Sequence, residues 1–166
     1  AFPVRALLLD KTPHANWAVA WHQDLAIAIT AHQPGIAGFT GWWEKDGIPH
    51  VIAPAGVLDS MATLRLHLDD CPSHNGPLRV IRGSHRQGVL DDAAIERWKA
   101  EGEIVTCSAN RGDVLVIKPL LLHASSRAAS PARRRVLHLE YAAHDLPHGL
   151  QWHTKSMSPA PQLAPS

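Results

Sequence analysis

A mostly β domain of the sandwich or barrel kind is what this sequence predicts, on three observations. Short apolar segments alternate with Pro- and Gly-marked turns along the chain. Ala62–Leu68 alternates strictly, with Leu64, Leu66 and Leu68 on one face and Thr63, Arg65 and His67 on the other, the period-2 signature of a strand. Only one stretch carries a convincing helical period. Many short strands with few helices pack as a sandwich or barrel, and the double-stranded β-helix, or jelly roll, is one such form.

In chain order, Val4–Leu9 is the first expected strand, and the apolar run Val19–Ile29 reads as the second. Gln33–Pro54 is long, irregular and rich in Gly, Pro and Trp. A loop of that length in a compact domain is a functional lid or disordered. Trp42 and Trp43 within it suit a site cover and plain packing equally well. Ala55–Met61 reads as a short helical turn, and Ala62–Leu68 and Leu78–Ile81 as strands. Asp91 or Asp92 caps the helix, Ile95 and Trp98 share a face of it, and Gly102 ends it. Glu103–Thr106, Val114–Ile117, Leu120–Ala124 and Arg135–Tyr141 complete the strands.

At 166 residues the chain holds one domain with a real core and is too short for two. The expected domain is 1–155, and 156–166, with its repeated Pro, Ala and Ser, reads as a disordered tail. The first residue is Ala1 rather than Met, so an N-terminal part is expected to be missing.

Apolar residues make up 45% of the sequence, and 16 basic residues nearly balance 15 acidic ones for a net charge of +1. That balance gives no footing for a nucleic-acid or membrane-surface partner, and the run Arg133–Arg135 is too short to change this. The longest apolar stretches cannot span a bilayer, and no signal peptide is visible. Cys71 and Cys107 form no CxxC pair and read as reduced thiols of a cytoplasmic protein, although spacing alone does not decide whether they pair.

Twelve histidines stand out, and position must separate those that matter. Trp21-His22-Gln23-Asp24 opens an apolar run, and residues two apart on an extended strand point to the same side, so His22 and Asp24 can grip one ion. His123, 101 residues beyond His22 and preceded by Leu121-Leu122, is the best third ligand. Two His and one carboxylate on one face of an octahedral ion leave three positions open, the facial triad of iron(II) oxygenases. An HxD pair alone is a weak signal.

The wider pattern resembles the phytanoyl-CoA dioxygenase family. Trp21-His22-Gln23-Asp24 looks like its HQD motif. Leu66-His67-Leu68-Asp69-Asp70 with Asn75-Gly76-Pro77-Leu78-Arg79-Val80-Ile81 looks like its central strands. Gly83-Ser84-His85-Arg86 is similar to its PGSH turn, with Arg82 where the family usually has proline, and Gly112-Asp113 through His123-Ala124-Ser125-Ser126 looks like the strand bearing its distal histidine. The resemblance covers roughly Val4 to Tyr141.

That resemblance implies a jelly-roll core, Fe(II), 2-oxoglutarate as co-substrate, dioxygen and a small-molecule substrate oxidised at a C–H bond with release of succinate and carbon dioxide. It implies His22, Asp24 and His123 as metal ligands, a 2-oxoglutarate contact at Ser125, and an arginine eleven residues past the distal His, here Arg134, on the far carboxylate. An arginine suits that role because its planar fork binds a carboxylate bidentately and stays charged. Arg133 and Arg135 flank it, and strand parity alone does not choose between Arg134 and Arg135. Related halogenases replace the triad carboxylate by a small residue, so Asp24 favours hydroxylation or another oxidation. His85 is implied to be a turn or supporting residue, and Arg65, His67 and Arg5 are open between the site and ordinary ion pairs. The rival readings are a non-catalytic cupin-like protein that binds a metal or small ligand, and a zinc hydrolase built on the same three ligands.

Overall fold

The structure is a computed structural model and describes residues 1–154; the expected tail lies outside the described residues. Strands carry the architecture: β1 (Phe2–Lys11), β2 (Val19–His22), β3 (Ala26–Ala28), β4 (Thr40–Lys45), β5 (Ile48–Ile52), β6 (Met61–His67), β7 (Leu78–Ile81), β8 (Ile104–Cys107), β9 (Val114–Ile117), β10 (His123–Ser125) and β11 (Arg134–Ala142). One four-stranded antiparallel sheet runs β1-β11-β6-β9, a second runs β2-β10-β7-β8, and a small third sheet runs β3-β5-β4. The mostly β jelly-roll class is the observed one.

Two short helices interrupt the strands. α1 (Ala55–Asp59) is the expected turn before β6, and α2 (Asp92–Glu101) is the expected helix. Asp91 caps α2 by accepting a 2.7 Å hydrogen bond from the Ala94 amide, and the Gly102 amide closes its end on the Trp98 carbonyl.

Three expected elements are corrected. The Val19–Ile29 run is two strands in two different sheets, because the chain breaks at Gln23–Leu25. There the Asp24 amide donates to the Pro119 carbonyl, and the Gln23 side chain ties down the Gly88 and Leu120 carbonyls and the Leu90 amide. Gln33–Pro54 is not an unstructured lid, since β4 and β5 form a hairpin within it. Trp43 stacks on His50 there and Trp42 packs on the core, and neither lines the pocket described below. Leu120–Ala124 is strand only from His123 onward, so His123 begins its strand.

The apolar core, with Ile27, Ile29, Phe39, Val51, Leu58, Leu120 and Trp152 among its members, fills the end of the fold near the third sheet. Full burial of such side chains stabilises by about 1.5–3 kcal/mol each. The larger sheet behaves differently. Along β6 the buried positions are Met61, Thr63, Arg65 and His67, whereas Ala62, Leu64 and Leu66 are half-buried on the other face. β11 repeats this, with Arg134, Val136, His138 and Glu140 buried and Leu137, Leu139 and Tyr141 partly exposed. The polar face of this sheet is therefore the interior one, which is affordable only where a polar pocket lies behind it.

Candidate active site

A cavity of about 280 Å³ lies between the two four-stranded sheets, and His22, Asp24, His123, Ser125 and Arg134 all line it. Pairing of β10 with β2 puts His123 directly opposite His22, with ring centroids 4.2 Å apart. Asp24 follows just past the end of β2. His22 Nε2 lies 3.4 Å from Asp24 Oδ1, and His123 Nε2 lies 3.5 Å from Asp24 Oδ2. The three ligand atoms fall within 4.8 Å of one another.

Backbone carbonyls fix the orientation of both rings. His22 Nδ1 lies 2.8 Å from the Ala20 carbonyl oxygen, and His123 Nδ1 lies 2.8 Å from that of Leu121. A carbonyl only accepts, so each Nδ1 carries a proton, and each ring, when neutral, presents an Nε2 lone pair to Asp24's side. Asp24 Oδ2 is buried without a hydrogen-bond partner among the described residues. Burial works against its charge, but a protonated His22, which then donates from Nε2, and the positive charge of a protonated His123 outweigh it and hold the carboxyl at about 2. The hydrogen bond to Asp24 raises the His22 pKa, while burial lowers that of His123. Two imidazole Nε2 atoms and an orphaned carboxylate oxygen, gathered in one small cluster, are a donor set that fits a divalent transition metal.

The supporting motif residues have structural roles. Ser84, fully buried, donates to the Ile81 carbonyl and accepts from the Leu122 amide, so the Gly83-Ser84-His85 turn clamps the residue before His123. Gln23 holds the segment between His22 and Asp24 in place, as described above.

Arg134 and Arg135 part company in the structure. Arg134 is buried on the interior face and turned into the cavity, its guanidinium bonded to the Gly76 carbonyl and approaching the Cys71 sulfur at 3.7 Å. Its Nε is buried with no partner, and no carboxylate pairs with it among the described residues. Arg135 points outward and forms a bidentate pair with Asp69 at 2.9 and 2.7 Å. Ser125 Oγ sits 3.3 Å from Lys11 Nζ. Cys71 and Cys107 are free thiols.

The structure adds residues that the sequence reading passed over. Lys11, His138 and Glu140 line the cavity, joined by Arg65 and Arg5 from the open set; His67 is buried nearby, and neither ring nitrogen has a hydrogen-bond partner among the described residues. Parity with Arg134 was the available signal for His138 and Glu140, since residues four and six apart share a strand face.

Residues 3–136 match the family model described as phytanoyl-CoA dioxygenase. L-proline trans-4-hydroxylase of Streptomyces griseoviridis is 29% identical over 79% of this chain and 50% of its own length. Among solved structures, AviO1 from Streptomyces viridochromogenes Tue57 is similar with a TM-score of 0.60 and 27% identity, over 88% of this chain and 52% of that one. EctD from S. alaskensis, solved with 2-oxoglutarate and 5-hydroxyectoine, has a TM-score of 0.60 at 21% identity over 86% of this chain and 44% of its own, a likeness of fold. The chain spans about half the length of these relatives.

Proposed function

The chain belongs to the phytanoyl-CoA dioxygenase family, and on that premise we propose that it is the catalytic jelly roll of a non-haem Fe(II)- and 2-oxoglutarate-dependent oxygenase that hydroxylates or otherwise oxidises a C–H bond of a small organic substrate. Residues 1–155 are read as one domain and its setting as cytoplasmic, in keeping with two free thiols. The observation that carries the reading is the pairing, in one cavity, of the His22–Asp24–His123 cluster with a buried arginine that has no carboxylate of its own.

In this reading His22 Nε2, His123 Nε2 and Asp24 would hold the iron. Bound there, Fe(II) supplies the one-electron chemistry that couples dioxygen reduction to decarboxylation of 2-oxoglutarate and oxidation of the substrate. The Ala20 and Leu121 carbonyls keep both imidazoles in the metal-binding tautomer. Arg134 takes the far carboxylate of 2-oxoglutarate on its unpartnered edge, Ser125 offers a hydroxyl, and Lys11 adds a second positive charge at that end. The walls of the two sheets limit water around the reacting atoms.

No ligand position of the triad is missing, so nothing favours the non-catalytic cupin-like alternative. The zinc hydrolase alternative leaves Arg134 without a purpose. The test is succinate formation by the protein with Fe(II), 2-oxoglutarate and air. Succinate should require both iron and 2-oxoglutarate and rise with a suitable substrate. Turnover supported by Zn(II), or none with iron, would refute the assignment.

A further inference from the structure

On the reading of this cavity as an iron and 2-oxoglutarate site, the end away from Arg134 still needs an account. Strand β1 turns Arg5, Leu7, Leu9 and Lys11 into the cavity. Lys11 lies across from Arg134 in the ladder, and Arg5 lies across from Glu140. Six residues of strand put about 20 Å between the two ends. The row between them holds His138 and Arg65, register partners of which Arg65 carries a charge that interacts with Asp24.

Arg5, Glu140, His138 and Arg65 form a continuous line. Arg5 Nη1 lies 3.4 Å from Glu140 Oε1, His138 Nε2 lies 3.3 Å from the same oxygen, and Arg65 Nη1 lies 2.9 Å from His138 Nδ1. Arginine only donates, so His138 Nδ1 accepts and its Nε2–H donates to Glu140, which makes the ring neutral. Two guanidinium charges therefore share one carboxylate. Arg65 is only 9% exposed, yet its Nε has no hydrogen-bond partner among the described residues. Arg5 makes one long contact with Glu140, unlike the bidentate grip of Arg135 on Asp69, and so retains free N–H groups beside the cavity. Around the whole cavity four cationic side chains, Arg5, Lys11, Arg65 and Arg134, face two carboxylates, Asp24 and Glu140. A divalent metal and doubly charged 2-oxoglutarate cancel each other, and the positive excess remains. Buried positive charge left without a counter-charge is costly, and an anion in the cavity would complete it.

We infer that this end is a carboxylate subsite for the primary substrate, in which Arg5 binds the substrate carboxylate bidentately, Glu140 holds Arg5 in position and Arg65 supplies the second positive charge. One row of the sheet, about 7 Å along the strand, separates Arg5 from the row facing Asp24. A small acid of amino-acid size spans that distance, with Leu7 and Leu9 as its apolar wall. The cavity thus holds two anion posts, one on each side of the triad: Arg134 for the co-substrate and Arg5 for the substrate.

The test is calorimetric titration of the anaerobic Fe(II)–2-oxoglutarate complex with free L-amino acids, L-proline among them, and with their primary amides. At least one acid should bind, and its amide, which lacks the charge, should bind at least tenfold more weakly. Arg5→Gln should weaken the acid tenfold to a hundredfold and leave the weak binding of the amide unchanged, and Arg5→Lys should recover part of the loss. Equal binding of acid and amide by the unmodified protein overturns the inference whatever the variants do. So does an Arg5→Gln protein that has lost acid and amide alike, or that binds the acid as before. A panel in which 2-oxoglutarate binds but no acid does also overturns it. Failure of 2-oxoglutarate itself to bind marks the underlying oxygenase reading as wrong and removes this inference with it.

Discussion

Lys11 and Arg134 face each other across the β1–β11 ladder, and both side chains turn into the cavity. Lys11 donates to the Trp17 carbonyl and lies 3.3 Å from the Ser125 hydroxyl, and its ammonium lies over the Trp17 ring, 4.9 Å from the centroid. Burial, reinforced by the neighbouring Arg134 charge, lowers its pKa to about 8. Two adjacent cations with no carboxylate between them describe a place prepared for an anion.

The Lys11 titration has two opposite consequences. Its folded pKa lies below the ordinary value of 10.5, so the fold disfavours the charged form. That burden on stability is fully present below about pH 8 and is relieved as pH rises from 8 towards 10.5. Between pH 7 and 9.5 the ligand-free protein should therefore gain stability, while its affinity for 2-oxoglutarate falls as one positive charge leaves the pocket. Thermal unfolding and equilibrium titration over that range check both. Lys11→Met should flatten both trends, and an unflattened profile in that variant assigns the titration elsewhere.

Arg134→Ala should weaken 2-oxoglutarate binding roughly tenfold to a hundredfold, since a charge-assisted hydrogen bond contributes about 1.5–3 kcal/mol. Arg134→Lys should recover only part, because an ammonium cannot reproduce the bidentate fork. Arg135→Ala breaks only the outward pair with Asp69 and should leave that affinity alone. Fluorescence or calorimetric titration decides, and the opposite ranking of the two alanine variants would exclude Arg134 as the anchor.

Asp24→Ala should abolish tight Fe(II) binding yet leave the ligand-free fold within a few degrees of its original melting temperature. Its Oδ2 makes no hydrogen bond among the described residues, and the donor that faces its Oδ1, His22 Nε2, belongs to a partly exposed ring that water can serve instead. Metal analysis after anaerobic loading, alongside circular dichroism, reads both halves. Retained iron at full occupancy would remove Asp24 from the ligand set.

Much of this was legible in the chain because period-2 spacing and short motifs are local. Leu78–Ile81 and Val114–Ile117 were readable to the residue, and the HxD spacing brought His22 and Asp24 together. What failed depended on distant partners. The break after His22 is enforced by Gln23 bonding to Gly88, Leu90 and Leu120, about a hundred residues away at its furthest, and no local pattern announces that. The β4–β5 hairpin hid among Gly, Pro and Trp because it pairs with β3, a strand absorbed into the longer run. Parity could not choose between Arg134 and Arg135 because the usual rule, apolar face inward, is reversed on β11: the leucines look out and His138 and Glu140 look in.

Ser84 gives the last prediction, on a residue that touches neither metal nor ligand. Its hydroxyl donates to the Ile81 carbonyl at 2.8 Å and accepts from the Leu122 amide at 2.9 Å, with no exposure to solvent. Ser84→Ala leaves the Leu122 amide without its partner in a buried setting, which costs about 1–3 kcal/mol. Because Leu122 immediately precedes His123, the freed amide also loosens the start of β10 and the ring that β10 presents to Asp24. The expected result is a lower melting temperature together with a weaker Fe(II) affinity, while 2-oxoglutarate binding to the fully metal-loaded protein changes little. Ser84→Thr keeps the hydroxyl and should restore part of the metal affinity if its extra methyl is accommodated. A Ser84→Ala protein that is destabilised but binds iron as tightly as before would confine Ser84 to the stability of the turn and cut its link to His123.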